Sequence, residues 1–175
     1  MKKKIKKNKG IVFWIEGFSG SGKSTISKLI TKPLNKKFGK TIVISGDQLR
    51  KLFSRNKFSK KERTKNSYIF SEFLKFMTDQ NINVIYSVVC LNHKARNIYK
   101  NKINNFVTIF LKADIHKIIS LKKKKKVYNK KKNILGVDIP PEFPKKPDII
   151  IKNDFLKNNL KTMTNELIKK VNKIL

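Results

Sequence analysis

The sequence predicts an α/β fold: a five-stranded parallel sheet with helices on both faces. Three observations predict it. Short, almost wholly apolar runs recur along the chain, longer amphipathic stretches separate them, and the first run leads through a glycine-rich turn into a helical segment. At 175 residues there is room for one compact domain, which would bury about 70% of its unfolded surface.

Taken in order, residues 1–10 (MKKKIKKNKG) form a basic tail, and residues 11–16 (IVFWIE) form the first strand. A helix follows over 23–38, with Pro33 expected to kink it. TIVIS at 41–45 is the second strand, and a long helix is expected over 60–80. NVIYSVV at 83–89 is the third strand, followed by a helix over 94–101. FVTIFL at 106–111 is the fourth, followed by a helix over 115–121. Residues 122–147 are rich in Lys and Pro with little periodicity, which reads as a mobile lid within the single domain spanning 11–175. DIIIK at 148–152 is the fifth strand, and a closing helix lies near 160–174. No repeat and no linker divides the chain.

The charge of +32, from 43 Lys and Arg against 11 Asp and Glu, first suggests a nucleic-acid or membrane partner. The basic residues are nearly all Lys, accompanied by abundant Asn and Ile, a trio that AT-rich coding yields without selection for binding. Nucleic acid is therefore an unlikely partner, and the aromatics that an RNA platform interleaves with its cations are missing from the motif regions. Against this background the four arginines, Arg50, Arg55, Arg63 and Arg96, each call for a physical reason. Cys90 is the single cysteine, which excludes an internal disulfide and suits a reducing cytoplasm. No Cys/His cluster has zinc spacing, IVFWI is too short for a signal-peptide core, and no run is long enough to span a membrane, so a soluble cytoplasmic protein is expected.

The chemistry begins at GFSGSGKST, from Gly17 to Thr25. Gly17, Ser19, Gly20, Ser21 and Gly22 make a turn between strand and helix whose backbone N–H groups can wrap a nucleotide's phosphates; a side chain at Gly20 or Gly22 would hinder that approach. Lys23 then reaches the β- and γ-oxygens, Ser24 offers a hydroxyl to Mg²⁺, and Thr25 adds a first-turn phosphate contact. This is the phosphate loop of the P-loop NTPase fold, and it predicts ATP or GTP binding. At the end of the second strand, Asp47 stands where such sheets gather ligands, with Arg50 one helical turn beyond. The carboxylate can hold the magnesium shell or orient an acceptor hydroxyl; the plainer alternative is a helix N-cap. Arg50 beside it would grip an acceptor's phosphate or sulfate.

In order along residues 11–154, GFSGSGKST, GDQLR, FSKKERTKN and GVDIPPEFPKKPDIII resemble the adenylyl-sulfate kinase family, which uses ATP to phosphorylate the 3′-hydroxyl of adenosine 5′-phosphosulfate. The resemblance implies that Lys23 and Asp47 are catalytic, with Ser24 and Asp47 serving Mg²⁺. It implies an acceptor pocket of Asp47, Arg50, Phe58, Arg63, Asn66, Val89 and Cys90, with Lys130 as the lid cation. Phe58 and an Arg plane would sandwich the base, with a core role for Phe58 as the plainer alternative. The implied partner is a small-molecule nucleotide acceptor, and a homodimer is compatible with the family. Three departures stand out: Ser45 where the family usually carries an acid, Val89-Cys90-Leu91 in place of Ile-Ser-Pro, and Lys122-Lys123 in place of Arg-Asp. In-line transfer needs no nucleophile at Cys90. GVDIP-type lids also resemble cytidine diphosphoramidate kinases, which gives a second acceptor; a basic nucleic-acid-binding P-loop protein is the remaining alternative.

Overall fold

The computed structural model describes residues 3–122, 125–129, 132–156 and 159–175. Its sheet holds β1 (Val12–Glu16), β2 (Thr41–Ser45), β3 (Asn83–Val88), β4 (Phe106–Ala113) and β5 (Ile149–Asn153) in the order β2-β3-β1-β4-β5. All pairings are parallel, with Glu16 in register with Val88 on one side and Phe110 on the other. The five expected strands form, and their carboxyl ends meet along one edge, the edge at which open α/β sheets bind ligands.

Parallel neighbours need crossovers, and here the crossovers are helices that cover both faces. Strand alternation divides the core: Phe13 and Ile15 of β1 face α1 (Lys23–Phe38) and α7 (Asn159–Ile174) through Ile26, Ile30, Leu34, Met163, Leu167 and Val171. Val12 and Trp14 face α3 (Lys60–Asp79) and α4 (His93–Lys102) through Phe70, Leu74, Ala95 and Tyr99. The Trp14 ring lies 4.4 Å from Tyr99 and 5.5 Å from Phe106, so truncating it to Ala would cost about 3–5 kcal/mol. Pro33 sits inside α1, which continues to Phe38 and closes on Gly39 at φ +85°.

Two short helices lie where the sequence shows no periodicity. α2 (Gly46–Leu52) follows β2 without a loop, because Ser45 and Gln48 form a reciprocal capping box that satisfies the first amides. α6 (Lys125–Tyr128) lies in the expected lid. From residue 132 onward that segment is fastened down: Ile134 and Leu135 are buried, and Glu142 N donates to Leu91 O at 2.8 Å. A Cβ on Gly136 (φ +89°) would come within 2.6 Å of the Phe18 ring. The basic tail is likewise tied from Lys3 on; Asn105 accepts from Lys6 N at 2.7 Å and donates to Lys9 O at 2.9 Å.

Candidate active site

The phosphate loop is shaped by contacts that only glycine permits. A Cβ on Gly17 would lie 2.5 Å from Leu111 O, and Gly22 takes the left-handed conformation at φ +99° to start α1. Gly22 caps α1 with no side chain, leaving the helix's positive end to an anion. Asn153, at the end of β5, donates to Ser21 O at 2.8 Å and so ties the loop to the sheet. Ser21 is buried, and its Oγ has no hydrogen-bond partner among the described residues. Lys23 is buried with Nζ folded across the loop, donating to Gly17 O at 3.0 Å and Phe18 O at 2.6 Å. Ser24 and Thr25 are exposed.

A cleft of about 700 Å³ opens above this loop. Ser19, Gly20, Gly22, Lys23, Ser24 and Thr25 line it from the phosphate loop and the start of α1. Ser45, Gly46, Asp47, Arg50, Ser87 and Val89 line it from α2 and the ends of β2 and β3. Asp47 and Lys23 thus share one cavity. Asp47 lies in the first turn of α2 but is not its cap, a role taken by Ser45. Its side chain is 87% exposed, while its partner Arg50, at 2.8 Å, is only 10% exposed.

Behind Arg50 the other expected acceptor residues gather. The Arg50 guanidinium lies 5.0 Å from the Phe58 ring centroid, and that of Arg63 lies 5.8 Å away. Arg63 donates from Nε to Phe58 O at 2.8 Å and from Nη1 to Val89 O at 3.0 Å. Burial lowers the Arg63 pKa, and the nearby Arg50 lowers it further, as expected of two cations sharing a partly dry pocket. Asn66 is buried with Oδ1 unpartnered among the described residues. Cys90 is also buried, and desolvation pushes its thiol up to about 12, so it is protonated near neutrality and unfit as a nucleophile. Lys130 lies outside the described residues.

Some cleft residues were not expected. Ser87 adjoins Ser45 across the β2–β3 ladder. Leu121, Val127, Phe155, Leu156 and Leu160 give the cleft an apolar end. The Tyr128 hydroxyl donates to Ser19 O at 2.8 Å, joining α6 to the phosphate loop, and burial pushes its pKa up to about 12. These residues are brought together by topology and carry no motif. For a metal, the described residues contain no group of three or more His, Cys, Asp or Glu side chains. One carboxylate and one hydroxyl do fit Mg²⁺, which usually completes its shell with nucleotide phosphates and water.

The chain resembles known proteins in sequence and in fold. A family model described as adenylylsulphate kinase matches residues 9–152. The cytidine diphosphoramidate kinase of Campylobacter jejuni is 29% identical over 169 residues, covering 94% of this chain and 98% of its own. The adenylyl-sulfate kinase of Thermodesulfovibrio yellowstonii is 34% identical over 157 residues, covering 84% of this chain and 77% of its own. In fold, the APS kinase of Mycobacterium tuberculosis solved with AMPPNP and APS superposes with a TM-score of 0.82 at 23% identity, covering 94% of this chain and 98% of the other.

Proposed function

The chain belongs to the adenylylsulphate kinase family, a family of ATP-dependent phosphotransferases, and on that premise we propose that it transfers the γ-phosphoryl group of ATP to the 3′-hydroxyl of adenosine 5′-phosphosulfate. The observation that carries this reading is the shared cleft, which Lys23, Ser24, Asp47 and Arg50 all line. ATP lies along the loop from Gly17 to Thr25, and Lys23 exchanges its loop carbonyls for β- and γ-oxygens. The Asp47 carboxylate accepts a hydrogen bond from the acceptor hydroxyl and aims it at the terminal phosphorus. Arg50 and Arg63 neutralise the acceptor's anionic head, and the Phe58 face receives its base. Ser24 and Asp47 would hold Mg²⁺, which supplies charge neutralisation when bound. Transfer through a loose transition state asks for positioning and fixed charge, and these side chains provide both.

A second reading, with cytidine diphosphoramidate as acceptor, is favoured by one observation. The Campylobacter jejuni cytidine diphosphoramidate kinase is matched over 98% of its length by 94% of this chain. Among the described residues, no helix is long and apolar enough to cross a membrane, and we place the reaction in the cytoplasm, where ATP is available. The test offers purified protein and radiolabelled ATP with adenosine 5′-phosphosulfate, cytidine diphosphoramidate, AMP, CMP and RNA in parallel. Label on adenosine 5′-phosphosulfate is expected; preference for the cytidine compound would replace the acceptor and keep the chemistry.

A further inference from the structure

Arg96, like Arg55, is an arginine that the nucleotide-handling groups leave unused, and of the two it is the buried one. It lies on α4 and is buried, with both arms on Glu16, the last residue of β1 before the phosphate loop. Nε donates to Oε1 at 2.7 Å and Nη2 to Oε2 at 2.9 Å, and Glu16 is fully buried. Withdrawing two charges from water is expensive, and well-packed apolar residues often stabilise a fold as well or better. Stability alone therefore gives a poor reason for an ion pair here.

The remaining contacts of the pair supply a better one. Arg96 Nη2 also donates to Glu142 O at 3.0 Å, and Nη1 meets His93 Nδ1 at 2.9 Å; a guanidinium can only donate, so Nδ1 accepts. Glu142 in turn grips the segment that follows β3. Its N–H donates to Leu91 O at 2.8 Å, and its carboxylate accepts from His93 N at 2.7 Å and pairs with Lys60 at 2.7 Å. From the opposite side Arg63 holds Val89 O. Residues 89–91 are thus clamped between the acceptor arginine and Glu142, and Arg96 bolts Glu142 to the strand from which the phosphate loop springs.

We propose that Glu16 and Arg96 are positioning residues, a buried brace that sets the distance between the donor loop and the acceptor wall. The proposal rests on the kinase reading for its consequence but not for its mechanics, and the experiment separates the two. Arg96→Lys keeps the cation and loses the fork; Glu16→Gln keeps the shape and loses the charge; Glu16→Leu with Arg96→Met removes both charges and guards against simple misfolding. Amide hydrogen exchange, measured without any nucleotide, is expected to speed up at residues 89–92 and 139–143 in the single variants while α1 and α7 keep their protection. In turnover, acceptor KM rises and transfer falls by about 100-fold, the scale of a misplacement near 1 Å, while ATP KM stays at the wild-type value. The double variant is expected to recover thermal stability without recovering transfer.

Unchanged exchange at 139–143 in Arg96→Lys would overturn the brace. So would a joint rise of both KM values, or transfer that returns in step with stability in the double variant. If wild-type protein transfers to no nucleotide while the exchange response is present, the kinase reading fails and the brace stands.

Discussion

Lys23 and Asp47 line one cleft and belong to none of the apolar clusters, so each can be tested without disturbing the core. On the proposed reading, replacing Lys23 with Ala removes the cation that meets developing charge on the transferred group, and kcat should drop by at least about 10²–10³, the usual loss for one such donor. Asp47→Ala should abolish transfer equally while leaving the far-ultraviolet circular dichroism unchanged; near-normal turnover would remove Asp47 from the mechanism. At Cys90 the expectation is the reverse, with Cys90→Ala retaining transfer. Burial raises that thiol to about 12 in the folded protein. Stability is therefore full below the thiol's ordinary value of about 8.5 and declines as pH rises towards 12. Cys90→Ala should flatten that alkaline decline in denaturant titrations, with buried Tyr99, also raised by desolvation, keeping part of it. The phosphate loop was legible residue by residue because every position answers a local backbone demand. The Glu16–Arg96 fork was not, because its partners lie 80 positions apart and meet only after the sheet has formed.

Among the elements, α2 shows how a departure from the family pattern is put to use. Ser45 carries no charge, yet its hydroxyl accepts from Gln48 N and starts the helix on which Asp47 and Arg50 ride. Ser45→Ala should cost about 1 kcal/mol in stability and raise acceptor KM more than ATP KM, measurable by chemical denaturation and steady-state kinetics. Ser45→Asp retains a good cap and adds the carboxylate usual in the family. α2 escaped sequence reading because seven residues are too few to display a helical period. Composition reads the stretch after residue 132 as part of a mobile lid. Its anchors are Arg63 Nη2 on Asn133 O, the backbone amides of Asn133 and Ile134 on Asp138, and Phe143 against Phe18 and Phe110. Most of these are long-range contacts that Lys and Pro counts cannot reveal. The five strands were legible because fully buried parallel strands are apolar throughout, whereas their spatial order is set by crossovers that leave no mark on any one segment.

At the scale of the whole molecule, the chain carries a charge of +32, and Lys23 and Arg50 line its cleft. Long-range attraction should raise the encounter rate with nucleotides, and this advantage should fade as added salt shortens the screening length from about 10 Å at 0.1 M to about 3 Å at 1 M. We expect kcat/KM for both substrates to fall with ionic strength while kcat changes little. Steep salt-sensitive RNA binding without small-acceptor turnover would instead favour the basic binding-protein alternative. The same architecture brings Lys3 beside Ile174. Lys3 N donates to Ile174 O at 2.8 Å, and the Lys3 ammonium pairs with Asp148 just before β5, at the rim opposite the cleft. A short peptide bridging these neighbours, with the chain reopened in the exposed 54–57 turn, should yield a circular permutant that folds, because Lys3 and Ile174 already adjoin. Tethering the enzyme to a surface or a fusion partner through that rim would leave its working mouth facing solvent.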